Sequence, residues 1–288
     1  MMGIKKIYPY FLTFPCLFFL FSVIFFPLAF SFSSSFYNIF LIRRETFFIG
    51  FDNYIQLFRD PYFLYSLWVT AYFVAVTVSI EVSLGLGIAL LLNEKFKGRS
   101  IVRGLILVPW ALPSVVNGVM WKWIYHAQYG AFNHLLFQLG FISKYIDWLG
   151  DPFTALNMLV LADIWKETAF PAILTLAGLQ AIPYGLYECA MIDGANAWQR
   201  FRYITLPLLK QILAVVIIFK TIWSFETFDL VYLVTRGGPS AGTRTLVYYN
   251  YLITFRQSLF GLGSAFSWII AIMILFFAVP YIRRFMLR

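Results

Sequence analysis

Six long apolar runs, at about 11–31, 66–92, 104–125, 155–178, 211–234 and 262–282, recur along the chain. About 20 mostly apolar residues suffice for a helix to cross the hydrocarbon core of a bilayer. The runs therefore predict an all-α membrane protein with six transmembrane helices, forming a single domain over residues 1–288. Only 12% of the residues are charged, against about 25% in a soluble domain, which excludes a soluble enzyme. Phe occurs 33 times, a density that suits a lipid-facing surface and would be a liability in water. The first run is too long for a signal-peptide core, and no small-x-small cleavage site follows it, so it reads as an uncleaved span.

Orientation follows from the basic residues between spans, because cytoplasmic loops carry excess Lys and Arg. With the N-terminus inside, twelve fall on the inner side: Lys5, Lys6, Lys95, Lys97, Arg99, Arg103, Arg200, Arg202, Lys210, Arg283, Arg284 and Arg288. Seven fall outside: Arg43, Arg44, Arg59, Lys144, Arg236, Arg244 and Arg256. Both ends are then inside, which fits an even number of spans. The net charge of +9 is spread between apolar runs and forms no nucleic-acid patch. Cys16 and Cys189 have no CxxC partner and no His at metal-ligand spacing. Outside the membrane, residues 50–65 read as an interfacial segment, 131–149 as a short surface helix, and 235–245 as a turn-rich loop. His126 and His134 read as surface residues at the outer edge.

Residues 182–208 are too polar to span and too patterned to be slack. Leu186, Cys189, Ala190 and Ile192 occupy apolar helix positions, Gly194 permits a turn, and Trp198, Phe201 and Ile204 repeat helical spacing. Pro207 suits the first turn of the next helix. Helix, glycine turn and helix would lie along the inner membrane face. The sequence Glu188-Cys189-Ala190, followed by Asp193, Gly194 and Ala195 and then by Ile204, Leu206 and Pro207, resembles the EAA loop of permease subunits in binding-protein-dependent ABC importers. It departs from that pattern at Cys189, where Ala is usual, and at Lys210, where a second proline is often seen. By this resemblance Glu188, Ala190, Asp193, Gly194, Ala195, Phe201, Ile204, Leu206 and Pro207 form a coupling helix that docks on an ATPase.

Other stretches extend the likeness over most of the chain. "GRSIVRGLILVPWALPSVVNGVMWKWIYHAQYGAFN" is similar to the third-span region of carbohydrate permeases. "FDLVYLVTRGGP" with "TRTLVYYNYLITF" resembles the region after span five of maltose-type first permease subunits, and "GFDNYIQLFRDPYF" the segment before span two. The resemblance implies a type I ABC importer permease fold in a prokaryotic cell membrane, of the maltose, trehalose and glycerol-phosphate kind. It also implies a second homologous permease, a dimer of ATPase subunits using ATP and Mg, an external solute-binding protein, and a sugar substrate. This chain carries no Gly-x-x-x-x-Gly-Lys pattern, so it is expected to bind no cofactor and to have no catalytic site.

Charges inside spans are costly and point to function. Asp163, Lys166, Glu167 and Phe170 share one face of span four, at i, i+3, i+4 and i+7. Lys220, Trp223, Ser224 and Thr227 repeat the spacing on span five. Polar groups interleaved with aromatics suit a sugar, whose hydroxyls need donors and acceptors and whose apolar ring face stacks on Trp or Phe. In the maltose-type family the sugar site lies on these two spans, and the motif register carries it to the same eight positions. Glu226 and Asp229 read as braces for the outer gate or the partner permease, and Glu81 and Lys122 as packing or interfacial charges. Pro109, Pro113 and Pro171 predict kinks. The substrate expected is a di- or oligosaccharide, since a phosphorylated one calls for Arg in the spans. The competing class is a secondary transporter or channel that uses the intramembrane acids; the lack of inverted repeats speaks against it. A membrane enzyme would need a metal pair, triad or nucleophile motif, and none is present.

Overall fold

The structure is a computed structural model that describes residues 12–40 and 45–285. Lys5, Lys6, Arg43, Arg44 and Arg288 of the charge count, and residue 11 of the first run, lie outside the described residues, as does the side chain of Arg284. The helices are α1 (Leu12–Ser34), α2 (Asp52–Arg59), α3 (Pro61–Asn93), α4 (Arg99–Ala111), α5 (Ser114–Ile124), α6 (Ala131–Gln138), α7 (Pro152–Glu167) and α8 (Ala169–Ala181). They continue as α9 (Gly185–Ile192), α10 (Ala197–Arg200), α11 (Leu206–Phe225), α12 (Asp229–Val234), α13 (Leu246–Tyr251) and α14 (Phe260–Phe285). Among the described residues four helices are long and apolar enough to cross a membrane, or up to six if each of two bent pairs is one span.

Prolines set four of the junctions. A residue before proline is pushed out of the helical region. Asp60, Leu112, Asp151 and Ile182 all precede a proline, all are extended with ψ between 115° and 137°, and each stands at a helix boundary. The expected third span, 104–125, is therefore two helices, α4 and α5, bent by 91° at Leu112–Pro113. The expected fourth span, 155–178, is α7 and α8 with a one-residue break at Thr168. Pro171 cannot donate to the Glu167 carbonyl four residues back, which loosens that turn. The expected fifth span, 211–234, stops at Phe225 and resumes at Asp229.

Pro207 does not open a new helix. Asn196 caps α10 and exchanges hydrogen bonds with Gln199. The helix then runs through a π-turn, Phe201–Thr205, directly into α11. The wider turn carries the Leu206 N–H to the Phe201 carbonyl. That spacing relieves the clash a proline ring makes with the preceding turn. Sequence spacing could not distinguish this continuous helix from the separate one expected.

The chain divides into two compact units. One takes the chain up to Phe63 together with Asn250–Ala271. In it, a two-stranded antiparallel ribbon absent from the sequence expectation pairs β1 (Tyr37–Phe40) with β2 (Glu45–Phe48), Tyr37 opposite Phe48. Asn53 on α2 donates to the carbonyls of Ser35 and Tyr37, at 2.8 and 3.0 Å, and so anchors the ribbon to α2, a helix within the 50–65 stretch expected only as an interfacial segment. Helix α1 has an apolar window with no buried residue in this chain, as a lipid-facing or partner-facing helix would.

The other unit holds Leu64–Tyr249 and the chain from Ile272 onward. Its core joins Ala89 and Leu92 of α3, Leu176 and Leu179 of α8, and Leu209 of α11. In lipid, helices gain little from hydrophobic burial against one another, so close backbone approach matters more. Gly118 on α5 meets Leu233 on α12 in this way: a Cβ there would lie 2.9 Å from the leucine Cβ. The 126–150 loop is tied by Asn133, fully buried on α6. Its carboxamide donates to the Ala127 and Ile146 carbonyls and accepts from the Ile146 N–H and Trp148 Nε1. Asn133→Ala strands those groups at about 1–3 kcal/mol each. Limited proteolysis of the membrane-embedded protein is expected to cut this loop well before the wild type's.

Candidate functional site

The two polar faces meet in the second unit. Helix α7 brings Asp163, Lys166 and Glu167, and α11 brings Lys220, Trp223 and Ser224. These six and Thr227 line one cavity of about 200 Å³. Phe170, the eighth expected position, is not in its wall. Its ring packs on Trp223 with centroids 4.7 Å apart and so backs the tryptophan. The cavity also takes in Ser114 and Asn117 from α5, Glu226 and Phe228 from the break between α11 and α12, and Asp229 and Leu230 from the start of α12. That break is what turns Glu226 and Asp229 toward the cavity instead of along a continuing helix.

Charge inside the site is paired in a chain. Lys166 Nζ lies 2.5 Å from Glu167 Oε1, and Lys220 Nζ lies 3.4 Å from Glu167 Oε2. Lys220 Nζ also lies 3.1 Å from Glu81 Oε2 and 5.7 Å from the centroid of the Trp223 ring. Glu81 and Lys220 have side chains 0% and 1% exposed, so this pair is sealed in protein. Glu81 is the charged partner that sequence reasoning left as packing or interfacial. The signal for it was available: an acid alone in a 33-residue apolar helix needs a cation from another helix. Lys122 is exposed and stands in the last turn of α5.

Chemically the cavity offers both halves of a hydrogen-bond network. Lysine ammonium groups donate, carboxylates accept, and the hydroxyls of Ser114, Ser224 and Thr227 do either. Asn117 Oδ1 is buried with no hydrogen-bond partner among the described residues, a free acceptor in the wall. Trp223 supplies a flat apolar face. Both lysines are in salt bridges, and Asp163, Glu226 and Asp229 are in none among the described residues. Among those residues no group of three or more His, Cys, Asp or Glu is placed to hold a metal ion.

The polar stretch is a second candidate site. Helix α9 ends where Gly194 adopts φ +82°, a conformation that L-residues rarely take. Ala195 N–H reaches the Ala190 carbonyl and Gly194 N–H the Met191 carbonyl, the Schellman pattern of helix termination. Glu188 and Asp193 are exposed, Ala190 and Ala195 half-buried. Ile192 is 86% exposed, and α9 buries no residue against this chain. Phe201 and Ile204 are half-buried on the π-turn, with Leu206 and Pro207 exposed after it. The Tyr187 and Thr205 hydroxyls, 2.9 Å apart, tie α9 to the π-turn. Outside this site, Asp151 caps α7 by accepting from the Thr154 N–H, which holds its carboxyl below the usual aspartate range.

Apolar helices around a polar cavity, with a helix, α9, that buries nothing against this chain, are the features of a membrane transport component. The sequence pattern of the family described as "binding-protein-dependent transport system inner membrane component" matches residues 81–286. The chain belongs to that family. It is 43% identical over 238 residues to the trehalose/maltose transport system permease protein MalF of Thermococcus litoralis, covering 82% of this chain and 79% of that protein. It is 41% identical over 236 residues to the sulfoquinovosyl glycerol transport system permease protein SmoG of Agrobacterium fabrum, covering 82% and 76%. Among solved structures, a chain of a bacterial ABC transporter involved in the import of the acidic polysaccharide alginate superposes with a TM-score of 0.85. That match covers 98% of both chains at 23% identity, a likeness of fold.

Proposed function

We propose that this chain is one permease subunit of an ATP-driven importer of a di- or oligosaccharide. It supplies half of the translocation pathway. The observation that carries the reading is the cavity, where an indole face, three hydroxyls, a free amide acceptor and alternating charges converge. The permease relatives named for trehalose, maltose and sulfoquinovosyl glycerol favour a sugar. At about 200 Å³ the cavity is smaller than the roughly 300–1,000 Å³ of complete ligand sites. A wall from a second, homologous permease would complete it.

In this reading six spans cross the membrane with both ends inside, and residues 182–208 lie in the cytoplasm. The exposed α9 docks on a dimer of separate ATPase subunits that use ATP and Mg. An external binding protein delivers the sugar to the opposite face. Closure of the ATPases pulls on α9, and α8 and α11, which flank it in sequence, carry the movement to the cavity. The proline breaks at Leu112 and Thr168 are suitable places for the helices to flex. Sugar hydroxyls exchange water for the side chains of Asp163, Lys166, Glu167, Lys220, Ser224 and Thr227, and a ring stacks on Trp223.

Uptake of labelled sugar by cells expressing the complete system tests this against a secondary transporter. Uptake that survives a protonophore and stops on ATP depletion is expected; the reverse pattern would falsify the ATP-driven reading. A local prediction concerns Gly194. A Cβ there meets no neighbour within 4 Å, and the left-handed backbone opposes a substitution by about 1–2 kcal/mol. Gly194→Val is expected to leave the amount of membrane-inserted chain near normal and to reduce the ATPase co-purifying with it. Unchanged co-purification would remove α9 from the docking surface.

A further inference from the structure

Helix α3 contributes no residue to the cavity wall among the described residues, yet two of its side chains reach α11 immediately behind it. Glu81 pairs with Lys220 at 3.1 Å. One turn earlier, Thr77 Oγ1 lies 3.4 Å from Ser224 Oγ. Positions 77 and 81 are four apart on α3, and 224 and 220 are four apart on α11, so these are consecutive rungs between antiparallel helices. Both α11 members of the rungs, Lys220 and Ser224, line the cavity. Thr77 and Glu81 are both fully buried.

A lysine ammonium on a flexible four-carbon stem has three donors and many rotamers. Here Glu81 and Glu167 engage Lys220 from two helices, at 3.1 and 3.4 Å. The two carboxylates hold the nitrogen electrostatically from two helices. Glu167 is itself shared with Lys166, whereas the salt bridge of Glu81 is with Lys220 alone among the described residues. Without it, the salt-bridge partner left to Lys220 among those residues is Glu167, for which Lys166 competes.

We propose that Glu81 is a positioning residue for translocation, holding Lys220 at the cavity wall from α3 without touching the sugar. The proposal rests on the sugar-importer reading above. It is tested in the complete importer, reconstituted in liposomes with its binding protein and supplied with maltose and trehalose as probes. The quantity read is sugar transported per ATP hydrolysed. Glu81→Gln is expected to keep ATP hydrolysis stimulated by the loaded binding protein within about twofold of wild type. Sugar moved per ATP is expected to fall about tenfold. Glu81→Asp keeps a carboxylate at this rung and leaves Lys220 intact, but withdraws the acid by one methylene. It keeps the test decisive if the glutamine variant does not assemble, and a fall in the same direction is expected. An unchanged ratio in either assembled variant, or loss of assembly in both, overturns the proposal and leaves Glu81 a packing role. Absence of ATP-driven uptake of both probes by the wild type instead overturns the importer reading for these sugars, and the proposal with it.

Discussion

Replacing Lys220 by methionine is expected to strip most of the protein from the membrane. Methionine nearly matches the lysine stem, so packing changes little, but Glu81 is left as a buried carboxylate with no cation beside it. Its side chain is fully buried and no other lysine or arginine among the described residues pairs with it. Removing one member of a buried ion pair costs about 3–5 kcal/mol, because the other is left uncompensated. Against a total stability of roughly 5–15 kcal/mol that loss is severe. Adding Glu81→Gln to Lys220→Met removes the stranded charge and is expected to restore much of the protein, a non-additivity that follows from direct contact. Quantifying the chain in washed membranes for the two single variants and the double variant checks this. Equal loss in the single and double variants would mean that the pair does not carry the stability assigned to it.

The second large effect lies where α3 crosses α8. A Cβ on Gly85 would stand 2.5 Å from Pro171 Cβ and 2.9 Å from the Ala172 backbone nitrogen. Neither neighbour is the end of a flexible side chain, so no rotamer change relieves the overlap. Gly85→Leu must push α8 away, and overpacking of this kind costs about 1–3 kcal/mol. Gly87, two residues on in the same helix, has nothing within 4 Å of its added Cβ. Melting of the detergent-solubilised protein is expected to drop clearly for Gly85→Leu and to stay near wild type for Gly87→Leu. Equal behaviour of the two would contradict the close crossing at Pro171.

The helical membrane class was legible because apolar runs of span length leave few other solutions. Part of the cavity lining was legible too, since i, i+3, i+4 spacing places Asp163, Lys166 and Glu167 on one face wherever the helix lies. What spacing could not supply is which helices face each other. Glu81 was therefore seen as an isolated charge, although its counter-ion Lys220 had already been singled out. Asn117 and Ser114 were missed because single polar residues in an apolar run carry no pattern. The kinks at Pro113 and Pro171 were legible from proline chemistry, but not their size. The 91° bend of α4 against α5 depends on what surrounds Leu112. The π-turn before Pro207 has no sequence signature beyond the proline itself. The short ribbon at Tyr37–Phe48 has strands of only four residues, too few for an alternating pattern to emerge.

The central claim is that this chain works as half of a pore driven by separate ATPases. The most direct measurement is the composition of the complex purified through this chain from its native membranes in mild detergent. The account predicts a second permease chain in equal amount and an ATPase in twice that amount. Recovery of this chain alone or with copies of itself, from a preparation in which other membrane complexes stay intact, would contradict it. The exposed α9 would then have no ATPase to meet, and the buried acids around Lys220 would have to be reread as a proton path.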